Sequence, residues 1–141
     1  MPRSTDPRVH SQWRVSASLR TVFIIHGVAT LAAAVVLAVA PGAILSTVNI
    51  PLDRAGFLLC YLLAATELAI ALLSFGAVRL TDRAAVRLIV MVFIAFHLTT
   101  GVLELVYLTY TPASPALIAN AVVRFGAAGV FAMLWRARLG R

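Results

Sequence analysis

A chain of 141 residues that is 62% hydrophobic and only 12% charged has more apolar surface than a soluble domain of its size can bury. Its mean hydropathy of +0.97 points to an integral membrane protein in which four spans and short loops use nearly every residue, leaving no room for a soluble catalytic domain. The net charge of +7 does not signal nucleic acid, because the basic residues, all arginine, flank apolar runs instead of forming one polar surface; the single cysteine, Cys60, excludes an internal disulfide, a CxxC pair and a cysteine-rich metal site.

Residues 1–18 are polar, with Pro2, Pro7, Arg3, Arg8 and Arg14, and read as a loose arm along the membrane surface that Trp13 anchors at headgroup level. The first span runs from about Leu19 to Ala40. Ala38-Val39-Ala40 imitates a signal-peptide cleavage site, but an apolar run of about 20 residues exceeds a signal core, and Pro41 would follow the cut, so the segment reads as a retained helix. Pro41 and Gly42 are expected to end it, and a loop to about Arg54 follows.

The second span covers about Gly56 to Val78 and carries Glu67 near its middle. Arg79 to Arg83 form a short basic turn into the third span, about Val86 to Tyr110. On that helix His97, Thr100, Gly101, Glu104 and Tyr107 follow steps of three, one, three and three, so they are expected to share one face. A carboxyl group turned to lipid would cost several kcal/mol, so the face should look into protein or a wet cavity. An uncharged turn with Pro112 and Pro115 leads to the fourth span, about Ala116 to Trp135. A basic tail, residues 137–141, closes the chain.

The expected fold is therefore all-α, a four-helix transmembrane bundle. Its domain of residues 19–136 lies between arm and tail. Ten arginines flank the spans on one side, with Arg54 on the other and Arg124 inside the fourth span, which places both termini in the cytoplasm and the protein in the cytoplasmic (inner) membrane as a multi-pass chain. Laying His26 on His97 brings Pro41 onto Pro112, a weak sign of two related hairpins that would set both histidines at similar depth.

Both glutamates of the chain, Glu67 and Glu104, fall within spans, while Asp6, Asp53 and Asp82 lie outside. Arg124 is also near mid-span, with Asn120 one turn before it on the same face. Two buried acids and one buried base invite pairing. Glu104, His97 and Glu67 are the candidates for proton transfer. Asn120, Arg124, Tyr107, Thr100 and His26 are the candidates for ligand contact. A His and Glu pair in a dry pocket suits an acid/base isomerase or cyclase acting on a hydrophobic substrate. The Gly126 to Gly129 run reads as close helix packing. No metal site, serine triad or phosphate loop is present as a motif, and haem between two histidines is the weaker alternative.

From Thr66 the chain reads TELAIALLSFGAVRLTDRAAVRLIV: a mid-membrane glutamate, a Leu-rich run, a glycine, and a basic turn into the next span. Over about Leu63 to Val90, and in its layout, this resembles the DoxX-like superfamily of small four-helix membrane proteins. The resemblance implies a membrane subunit or accessory protein, in some relatives tied to quinone-linked oxidation. Glu67, Gly76 and Arg79 carry over; the His97 to Glu104 face does not.

Three functional expectations follow. The first is an intramembrane polar pocket for a quinone-like or isoprenoid-like molecule, with the bilayer and a hydrophobic small molecule as partners and no cofactor required by the sequence. The second is an accessory subunit of a membrane redox complex, bound to another membrane protein or to a copy of itself. The third is a proton-coupled transporter of small solutes.

Overall fold

The computed structural model describes residues 13–48 and 51–139. The first twelve residues of the expected arm, with Arg3 and Arg8, and Arg141 of the tail lie outside the described residues. Those described are helical throughout, joined by short turns: α1 (Ala17–Val39), a short α2 (Pro41–Leu45) continued by a 3-10 turn (Ser46–Val48), α3 (Arg54–Ala77), α4 (Arg83–Leu108) and α5 (Pro115–Leu139). Four of the five are long and apolar enough to cross a membrane.

Each long helix begins two or three residues before, or right at, its apolar run, because a short polar side chain caps it. Ser16 Oγ accepts from Leu19 N at 3.3 Å, Asp53 Oδ1 from Gly56 N at 2.7 Å, Asp82 Oδ1 from Ala84 N at 2.9 Å, and Ser114 Oγ from Leu117 N at 3.3 Å. Such caps satisfy amides that have no partner inside the helix. The arm thus ends at Ser16 rather than Ser18. At the other terminus α5 continues to Leu139, taking in Arg136.

Pro41 does end α1, but it also starts the next element. Ala40 closes α1 through its N–H to Val36 O at 2.8 Å. Pro41, lacking an amide hydrogen, then occupies the first turn of α2, where none is needed. The expected loop therefore holds a helical turn, which folds Ile44, Leu45 and Leu52 onto Leu37, Cys60 and Ala64.

Packing follows the hairpins: α1 lies along α3 and α4 along α5, with fewer contacts between the pairs. Each hairpin closes on a glycine. A Cβ built on Gly27 of α1 would stand 2.8 Å from Phe75 Cε1 of α3, and one on Gly101 of α4 would stand 3.0 Å from Phe125 Cζ of α5. The expectation for α5 is corrected here, since a Cβ on Gly126 or Gly129 would meet nothing within 4 Å. Those two glycines point outward, and Ala128 is the buried residue of the run.

The main core fills the end of the bundle where Arg14, Arg20 and Arg79 line a shared surface pocket. Phe23, Phe93 and Phe131, from α1, α4 and α5, are fully buried there with ring centroids 5.4 to 6.1 Å apart. Trp13 is partly buried against this cluster, and Trp135 belongs to it. Outward faces carry Leu59, Leu72, Leu88 and Met133, each more than half exposed. Apolar side chains point out while Glu67, Ser74, His26 and His97 are buried, the arrangement a lipid solvent favours.

Candidate functional site

Above the phenylalanine cluster, the two hairpins meet through a pair of histidines. His26 Nε2 lies 2.9 Å from His97 Nε2, and His26 Nδ1 lies 2.8 Å from Ser74 Oγ. Ser74 Oγ is also 2.8 Å from Ile70 O. A carbonyl accepts, so the serine hydrogen goes to Ile70 O, and Ser74 Oγ accepts from His26 Nδ1–H. For neutral rings the order then runs on: His26 Nε2 accepts from His97 Nε2–H, which leaves His97 Nδ1 with a lone pair. That nitrogen is buried and has no partner among the described residues. The two nitrogens that would face a haem iron from opposite sides are bonded to each other, so this geometry does not suit haem ligation.

One to two turns further along α4, Glu104 gathers groups from α5. Its Oε1 accepts from Asn120 Nδ2 at 2.6 Å and from Arg124 Nε at 3.0 Å. Asn120 and Arg124 are one turn apart, so one carboxylate oxygen can reach both. Arg124 Nη2 lies 3.9 Å from Glu67 Oε1 of α3, an ion pair beyond hydrogen-bond length. The closer partner of Arg124 is thus Glu104, not Glu67. The guanidinium also stands 5.5 Å from the centre of the Phe96 ring, which supplies a cation–π contact. Glu104 Oε2 is buried without a partner among the described residues.

A cavity of about 360 Å³ opens between α1 and α5. Its floor includes His26, His97, Glu67 and Arg124; its lips include Ile25 and Val123, 63% and 66% exposed. Apart from Asn120, Thr30 and Phe131 the walls are small or aliphatic, with Ala29, Ala33 and Ala127 leaving room. The cavity therefore faces sideways, through two helices that touch sparsely, and the phenylalanine cluster closes it toward the arginine-rich end.

Of the residues singled out from sequence, His26, His97, Glu67, Asn120 and Arg124 line this cavity, and Glu104 holds two of them from behind. Thr100 and Tyr107 lie outside it and line, with Glu104, a separate depression. Thr100 gives its hydroxyl hydrogen to Phe96 O of its own helix at 2.7 Å, and Tyr107 is 41% exposed. Helix geometry explains the split: at about 100° per residue, Glu104 stands only about 20° from His97 around α4, whereas Tyr107 has drifted about 80°. Ser74 and Phe96 were not singled out. The signal for Ser74 was present, since it lies two turns after Glu67 on α3 and so shares its face.

Among the described residues no three His, Cys, Asp or Glu side chains converge as metal ligands do. Comparisons of the chain with protein-family models, curated proteins and solved structures find no match.

Proposed function

We propose that this chain is a small multi-pass membrane protein that takes an amphipathic, lipid-like molecule into the cavity between α1 and α5. Its head group would lie on the polar floor and its tail would leave between Ile25 and Val123 toward the acyl chains. The observation behind this reading is the conjunction of a polar floor with apolar lips in one lateral opening. The volume lies within the ~300–1,000 Å³ usual for small-molecule sites. On this proposal Arg124 and Asn120 orient the head group, and Glu67 is the group that exchanges a proton with it. By this reading the protein sits in the cytoplasmic membrane with both ends inside, as the arginine bias requires.

Native mass spectrometry of the protein purified in mild detergent tests it. The expected spectrum shows one bound molecule of lipid-like or quinone-like mass, depleted in Arg124→Leu. A stoichiometric protein partner with no small molecule would instead favour the accessory-subunit role that the DoxX-like resemblance implies.

A further inference from the structure

Supply and demand of hydrogen bonds do not balance on the cavity floor. Glu67 is 4% exposed and lines the cavity, yet its contact with Arg124 at 3.9 Å is too long for a hydrogen bond. Among the described residues its carboxyl group has no other polar partner. His97 lines the same cavity, but its Nε2 is bonded to His26 and its Nδ1 is itself buried, so the open carboxyl group on the floor is that of Glu67. Asn120 gives one of its two amide hydrogens to Glu104. On the donor side Arg124 has its Nε held by Glu104 and its two terminal nitrogens left over.

The floor thus presents the Glu67 carboxylate as an acceptor beside the terminal N–H groups of Arg124. A ketone or quinone carbonyl accepts from Arg124 but brings no hydrogen to the Glu67 carboxylate. A protonated amine brings hydrogens but has no lone pair to accept from the guanidinium. A hydroxyl does both, donating to the Glu67 carboxylate while accepting from the guanidinium. Leaving a buried acceptor unmatched is costly, so the difference should be visible in affinity.

Resting on the cavity reading above, we infer that the head group this site takes is a hydroxyl: that of a lipid alcohol, a long-chain phenol or a hydroquinone, in preference to the carbonyl of a quinone. Glu67 is its principal acceptor.

Full-length protein in lipid nanodiscs is titrated with para-dodecylphenol, with its methyl ether and with dodecylammonium, after correction for partition into protein-free discs. The phenol is expected to bind about tenfold tighter than the ether, which has the same skeleton without the hydrogen. In Glu67→Gln that gap is expected to fall to about threefold or less, while the affinity of the ether, which does not use the hydrogen, reports that the variant is folded. Equal binding of phenol and ether, or tighter binding of the ammonium, overturns the hydroxyl inference and leaves the cavity standing. A gap that Glu67→Gln does not move overturns the role of Glu67. Failure of both phenol and ether to bind overturns the cavity reading itself.

Discussion

His26 and His97 stand nitrogen to nitrogen at 2.9 Å, one from each helical hairpin, and this contact ties together two halves that otherwise touch sparsely. Replacing one ring strands the other. His97→Leu should lower stability by ~1–3 kcal/mol, because a buried imidazole nitrogen loses its partner, whereas the double change His26→Leu with His97→Leu should recover part of that loss. Thermal unfolding in detergent measures both, and strict additivity of the two single changes would contradict the contact.

Arg124 offers a second comparison. It hydrogen-bonds Glu104 at 3.0 Å and only approaches Glu67 at 3.9 Å. Glu104→Leu leaves the guanidinium without its bonded carboxylate and should cost ~3–5 kcal/mol, with Glu67→Leu clearly less. Unfolding midpoints rank the two. The reverse order would mean that Glu67 is the true counter-ion.

The glycines divide in a way that alanine substitution can read. At Gly27 a methyl group would stand 2.8 Å from the Phe75 ring, so Gly27→Ala should destabilise by ~1–3 kcal/mol. At Gly129 a methyl group meets nothing within 4 Å, and Gly129→Ala should be neutral or stabilise by up to ~1 kcal/mol. Equal losses in midpoint temperature for the two variants would contradict the packing of the hairpins.

The proposed topology, with ten arginines on one side of the spans, has both termini in the cytoplasm. Fusions of green fluorescent protein to either end should therefore both fluoresce, and alkaline phosphatase fused at either end should be inactive. A phosphatase-active fusion at one terminus would contradict this topology.

How much of this was legible in the sequence depends on the length scale of the signal. Four long helices follow from apolar runs of sufficient length, and those runs survive any uncertainty about packing. Their starts were set by Ser16, Asp53, Asp82 and Ser114, caps that hydropathy does not weigh, and Pro41 served as a stop for one helix and a start for the next. Within the site, the face shared by His97 and Glu104 was readable because seven residues make nearly two full turns. Tyr107, ten residues on and so about 80° around the helix, lines a separate depression with Thr100 and Glu104. Which glycines meet a neighbour was not readable. That depends on where Phe75 and Phe125 arrive from other helices, information that no single helix carries.

The central claim is that a lipid-like molecule enters between α1 and α5, and photolabelling tests it most directly. A long-chain alcohol bearing a diazirine near its hydroxyl end, activated in nanodiscs and mapped by peptide mass spectrometry, should mark Ile25, Ala29, Val123 and Ala127, with labelling suppressed by excess unlabelled alcohol. Labelling spread evenly over outward residues such as Leu59, Leu72 and Leu88, and not suppressed by competitor, would contradict the account.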